Sequence, residues 1–264
     1  MRKIVSLIIA AFFTATNICS SIASQPATLV VDVNKLKVLH SKNATEARYP
    51  ASLTKMMTLY LIFDALKTNK ITMNTPIKAS KKASLQKPSK LGLNPGDIIT
   101  VRDAINALIV RSANDVAMAV AEKLGNGNAD NFVMQMNAKA KKLGMRNTHF
   151  INPTGWHHSR QHTTAYDMAK LAISLRKYHA KYYKLFSTTE FKFKGKKIKT
   201  HNKLLLKCNH VDGVKTGFTN ASGFNLVTSV KNKKANLVAV VMGATTAQER
   251  EQKMLSLIQK FVKS

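Results

Sequence analysis

The chain has 264 residues, 45% of them apolar, and a formal net charge of +29 at pH 7. That length and apolar share are enough to bury one sizeable core, and they exclude a disordered or collagen-like chain. The positive field favours anionic polymers or membrane surfaces, but the lysines are spread through residues 78–90, 139–142, 192–203 and 231–234 with no nucleic-acid motif among them, so a solvated basic surface is expected and no nucleic acid.

The chain opens on Met1, Arg2 and Lys3 and runs almost entirely apolar to Ala15, the pattern of a secretory leader. Ser21-Ile22-Ala23 offers the small residues a leader peptidase reads, which places the leader at residues 1–24. An uncleaved anchor is the alternative, although the run is short for a bilayer. Either reading puts the remainder outside the cytoplasm, in the periplasm or on the outer face of the cytoplasmic membrane. Leader removal takes Cys19 and leaves Cys208 alone, so no intramolecular disulfide is expected. Thr16-Asn17-Ile18 does not fit a lipoprotein signal.

Residues 27–33 and 35–39 read as two strands joined at Val33-Asn34. From 52 to 67 the apolar residues surround the axis, which marks a buried helix. Helices are expected at 103–111, 115–124, 131–143 and 163–178, then strand patterns at 190–199, 213–219, 223–231 and 235–243. A last helix spans 247–262, opened by the capping-box spacing of Thr246 and Glu249. Strands at both ends with helices between them predict an α/β fold with one antiparallel sheet flanked by helices. No repeat or long linker marks a second domain, so residues 25–264 are expected to form one.

Three short motifs carry chemistry. Ser52-Leu53-Thr54-Lys55 puts a hydroxyl and an amine three residues apart, on one face of a helix. A lysine that is desolvated and close to other cations has a lowered pKa and can act as base for the serine. The same spacing recurs at Ser84 and Lys87 and at Ser174 and Lys177, but only Ser52 opens a buried helix. Ser112-Ala113-Asn114 joins two helices, where a hydroxyl and an amide can project into a cleft; by itself it reads equally as a helix cap. Lys215-Thr216-Gly217 interrupts a β-forming stretch, which suggests that something approaches its backbone closely; a protected edge strand is the alternative.

The order Ser-x-x-Lys, Ser-x-Asn, Lys-Thr-Gly is the signature of penicillin-binding proteins and class A β-lactamases. With residues 49–58, 150–155 and 212–219, the chain resembles low-molecular-mass penicillin-binding proteins of the D-alanyl-D-alanine carboxypeptidase type, from Ala27 to its C-terminus. The resemblance implies the DD-peptidase/β-lactamase fold, no cofactor and no metal, a peptidoglycan stem peptide as substrate, and β-lactams as covalent inhibitors. It implies Ser52 as nucleophile, Lys55 as its base, and Ser112 with Lys215 as the proton route to the leaving amine. Asn114 would hold the substrate amide, the N–H groups of Ser52 and Phe218 an oxyanion, and Thr216 and Arg250 the terminal carboxylate, with Gly217 beside them.

Many relatives carry a β-rich second domain and a C-terminal anchor helix, neither of which is expected within these residues. A class A β-lactamase would need a Glu-x-x-x-Asn loop, and Glu122–Asn126 is misplaced for it. A DD-endopeptidase would share the catalytic set, and a silent wall-binding protein would need a motif residue replaced. A general attraction to anionic wall polymer or membrane is the remaining partner expectation. His157, His158 and His162 read as surface histidines rather than metal ligands.

Overall fold

The structure, a computed structural model, describes residues 25–232 and 235–262. The expected leader, with Cys19 and Ser21-Ile22-Ala23, lies outside those residues, as do Lys233 and Lys234. The strands are β1 (Ala27–Asp32), β2 (Lys37–Lys42), β3 (Pro76–Lys78), β4 (Ile98–Thr100), β5 (Glu190–Phe193), β6 (Lys196–Lys199), β7 (Val211–Thr219), β8 (Gly223–Lys231) and β9 (Asn236–Ala244). The helices are α1 (Lys55–Lys67), α2 (Lys81–Ser84), α3 (Val101–Asn106), α4 (Asn114–Leu124) and α5 (Ala129–Lys142). They continue with α6 (Ala165–Tyr178), α7 (Ala180–Tyr183), α8 (Leu204–Lys207) and α9 (Ala247–Val262).

Five strands pair antiparallel in the order β2-β1-β9-β8-β7. Successive side chains on a strand point to opposite faces, and the apolar residues divide accordingly. Leu29, Val31, Val238, Val240 and Met242 join the larger core with α1, α4 and α6. Val30, Leu237, Ala239 and Val241 face the other way and meet Met254 of α9. A one-residue slip of β9 would exchange these sets, so the two-sided core fixes its register.

Helix α1 is buried on every side from Lys55 to Phe63, as its apolar composition requires. Thr164 and Asn128 cap α6 and α5 through their side chains. Thr246 Oγ1 accepts from Glu249 N at 3.0 Å, and the Glu249 carboxylate accepts in return from Thr245 N rather than from Thr246 N.

Several local expectations are corrected. Strand β2 starts at Lys37 because the Asp32 carboxylate accepts from Asn34 N and Lys35 N and draws residues 33–36 into the turn. Helix α3 begins at Val101, capped by Thr100, and then widens into a π turn over Ala107–Arg111. Residues 190–199 are a hairpin, not one strand, because Lys194 and Gly195 both take positive φ at the turn. The β3–β4 pair and the short helices α2, α7 and α8 are too brief to leave a periodic signal.

Candidate active site

All three motifs meet in a cleft of about 430 Å³, whose walls include Ser52, Ser112, Asn114, Thr216, Trp156 and Arg250. Ser52 lies in a 3-10 turn, Ala51–Thr54, directly before α1, so the α-helix proper starts three residues later than expected. Ala51 takes a left-handed φ of 47°, which turns the chain sharply ahead of the serine. Two features hold this turn. Asn225 of β8 donates to the carbonyls of Tyr49 (3.0 Å) and Pro50 (3.2 Å), and Gly155 packs so closely that an added β-carbon would lie 1.8 Å from Ala51 O.

Lys55 is fully buried beside Ser52. Its Nζ lies 3.1 Å from Ser52 Oγ, 2.6 Å from Asn114 Oδ1 and 2.5 Å from Thr154 O. Burial, then the nearby Lys215 ammonium, pushes its pKa well below the usual lysine range, while Asp115 pulls the other way. A neutral amine has two N–H donors and one lone pair. Asn114 Oδ1 and the Thr154 carbonyl can only accept, so they take the two donors and leave the lone pair for the Ser52 hydroxyl. That is the arrangement of a general base on its nucleophile.

The Thr154 carbonyl is aimed by a local turn: Asn152 Oδ1 accepts from Thr154 N, Thr154 Oγ1 and Gly155 N. The Asn114 amide has a definite orientation, because its Nδ2 donates to the carbonyls of Lys87 (2.8 Å) and Pro88 (3.2 Å). Asn114 thus tethers Lys55 to the loop over the cleft. Asp115 continues that tether: its buried carboxylate accepts from the backbone N–H groups of Leu91, Gly92 and Leu93 at 2.8–3.0 Å.

Ser112 ends the π turn in the left-handed region, at φ 60° and ψ 37°. Its Oγ is buried and has no hydrogen-bond partner. Leaving a hydroxyl unpaired costs about 1–3 kcal/mol, and αL backbone in a non-glycine residue adds about 1–2 kcal/mol. Both costs fall on a residue of the cleft wall, where such strain characteristically serves function.

The Lys-Thr-Gly motif lies on β7, the edge strand of the sheet, which packs against the Ala51–Thr54 turn. Gly217 is the point of closest approach, with its α-carbon against the backbone of Pro50, Ser52 and Leu53. Lys215 is buried rather than a solvated guard of the edge, and its Nζ donates to Thr216 O at 3.0 Å. Burial and then the Arg250 guanidinium lower its pKa to about 7. Arg250, in the first turn of α9, is 6% exposed; it lies over the Phe224 ring and 3.1 Å from Glu251. Phe218 stacks on Phe224 at 4.2 Å and stays half exposed at the rim.

Arg111 and Arg250 line the cleft, with Lys215 close to Arg250 and Glu251 the nearby acid, so the cleft suits an anionic ligand. The alternative positions stay outside it. Ser84 is bonded to Lys81 O, and Glu122 at the far end of α4 accepts from Ser80. No cluster of three metal-ligating side chains occurs among the described residues. Asn225, Asp115, Thr154, Arg111 and His201 belong to the site but were not singled out as functional from sequence; an acid directly after Ser-x-Asn is the one hint that was readable.

Residues 13–246 match the family described as D-alanyl-D-alanine carboxypeptidase. The chain is 37% identical over 227 residues to D-alanyl-D-alanine carboxypeptidase DacF of Bacillus subtilis, covering 84% of this chain and 58% of that protein. It spans about three fifths of the length of the curated relatives it matches first. Among solved structures it superposes on penicillin binding protein 5 from Haemophilus influenzae with a TM-score of 0.85 at 35% identity, over 88% of this chain and 69% of that one. Penicillin-binding protein D2 from Listeria monocytogenes, solved with cefotaxime bound, gives 0.80 at 28% identity, over 88% and 95% of the two chains. The antiparallel sheet with its flanking helices is therefore the DD-peptidase fold.

Proposed function

This chain belongs to the D-alanyl-D-alanine carboxypeptidase family, and on that basis we propose that it is a serine-type D-alanyl-D-alanine carboxypeptidase acting on peptidoglycan stem peptides outside the cytoplasm. The observation that carries this reading is the buried Lys55 amine, held by two pure acceptors and 3.1 Å from Ser52 Oγ.

In this mechanism Ser52 Oγ bonds to the carbonyl carbon between two D-alanines as its proton passes to the Lys55 lone pair. The backbone N–H groups of Ser52 and Phe218 stabilise the oxyanion. The C–N bond then breaks, and Ser112 with Lys215 delivers a proton to the departing amine. The buried Ser112 hydroxyl, which has no protein partner, finds one in that amine. Thr216 and Arg250 hold the terminal carboxylate, a task suited to a guanidinium. Gly217 keeps β7 close enough for the Phe218 N–H to act together with that of Ser52. Asn114 contacts the substrate amide while keeping Lys55 in place. Water finally hydrolyses the acyl-serine and restores the hydroxyl.

A β-lactam amide resembles the scissile bond, so benzylpenicillin should acylate Ser52. Intact-mass spectrometry of the purified protein, beside Ser52→Ala, tests this directly. A stable adduct on the wild type alone supports the reading. No adduct and no drug turnover would remove it in favour of a fold-retaining wall-binding protein.

A further inference from the structure

A second cavity of about 770 Å³ lies beside the cleft, between Lys90–Gly92 and strand β6. Arg111 and His201 line both cavities, so an extended ligand can run from one into the other. The second cavity is strongly cationic. Two of its lysines are neutralised, Lys194 by Asp97 at 2.8 Å and Lys197 by Glu190 at 2.7 Å. Among the described residues, no carboxylate forms an ion pair with Arg111, Lys196 or Lys199. Arg111 is the best placed of these. Its Nε donates to Lys90 O at 3.1 Å, which fixes the guanidinium plane and leaves its outer nitrogens without protein partners. The potential at the junction registers on His201, whose pKa falls to about 4 through lost solvation and then through Lys215 and Arg111.

We infer that this cavity is a subsite for a carboxylate carried by the peptide upstream of the scissile bond, with Arg111 as its principal ligand and Lys196 and Lys199 as supporting charges. The inference rests on the proposed carboxypeptidase activity and adds a substrate preference to it. Thr216 on β7 and Arg250 on α9 serve the terminal carboxylate, whereas Arg111 provides a cation on a different wall, the π turn. A peptide with two carboxylates matches that layout better than one whose side-chain carboxyl is amidated. A guanidinium tethered through Nε is suited to bidentate carboxylate binding, which distinguishes Arg111 from the point charges of the lysines.

The test uses the full mature protein and two synthetic peptides ending in D-alanyl-D-alanine, identical except that one upstream side-chain carboxyl is free or amidated. Benzylpenicillin labelling of the wild type is measured alongside. The wild type should favour the acidic peptide by about tenfold in kcat/KM at low salt, mainly through KM, as expected for one charge-assisted pair. Added salt should erode the preference. Arg111→Gln should reduce it to about twofold, and K196S/K199S should remove a smaller part, as expected for exposed charges. Equal use of both peptides by a wild type that still labels would overturn the subsite alone, as would a preference that survives all three substitutions. A wild type that neither labels nor cleaves would overturn the parent activity and the subsite together.

Discussion

Gly217 lies against the backbone nitrogen of Ser52: a β-carbon built on the glycine would stand 3.1 Å from that nitrogen. The other nearest atoms are Pro50 O at 3.1 Å and Leu53 N at 3.2 Å, again backbone. Asn225 fixes the Tyr49 and Pro50 carbonyls, so the turn has little freedom to retreat.

Gly217→Ala should therefore displace Ser52 rather than be absorbed. The expected result is at least a tenfold fall in the rate of acylation by benzylpenicillin, with about 1–3 kcal/mol of overpacking cost in stability. A mass-spectrometric time course measures the rate, and an unchanged rate would show that the turn yields.

Two charges act on Lys55 in opposite senses, which gives a paired prediction about pH. Acylation should rise with pH as the amine loses its proton. Lys215→Gln removes a cation that, after burial, holds the Lys55 pKa down, so the rising limb should move to higher pH. Asp115→Asn removes an anion that holds it up, so the limb should move to lower pH. Acylation rates across pH for the three proteins check the signs, and shifts in the same direction would contradict this electrostatic account.

Ser112→Gly should separate stability from activity. Glycine tolerates the left-handed backbone, and the substitution also deletes the unpaired hydroxyl, so a gain of about 1 kcal/mol in unfolding free energy is expected. Acylation should fall by about 100-fold with the loss of a proton-transfer group. Urea denaturation and penicillin labelling report the two quantities independently.

Lys215 should also make stability depend on pH. Its folded pKa of about 7 lies below its ordinary 10.5. Between those values the unfolded chain holds a proton that the folded chain has lost, so unfolding free energy should rise with pH, by up to about 1.4 kcal/mol per unit. Below about 7 the folded protein carries a buried cation, and this contribution is at its least favourable. Lys215→Met should flatten the rise, which denaturation midpoints at about pH 6 and about pH 9 would detect.

The parts of the molecule that were readable in sequence are those whose causes are local. Strand 223–231 and helix 247–262 were placed to the residue, the helix because Thr246 and Glu249 signal its start. Ser52 and Lys55 were readable because three residues bring them within reach on one turn. The supports of the site were not, because their partners are remote. Asn225 reaches across 175 residues to Pro50, and Asp115 reaches back 24 to Leu91. The π turn that presents Ser112, and the burial of Arg250, likewise depend on packing that no local pattern encodes.

Strand β1 is hydrogen-bonded along its whole length to β9, which lies some two hundred residues later in the chain. While the polypeptide is being made, β1 therefore has only the outer strand β2 to pair with, and the sheet can close only when nearly everything else has emerged. Such long-range pairing delays folding. If the chain is exported, as the proposed function has it, that delay is an asset. Until β9 has emerged, β1 and β8 have no strand to join them, and the sheet stays open at its middle.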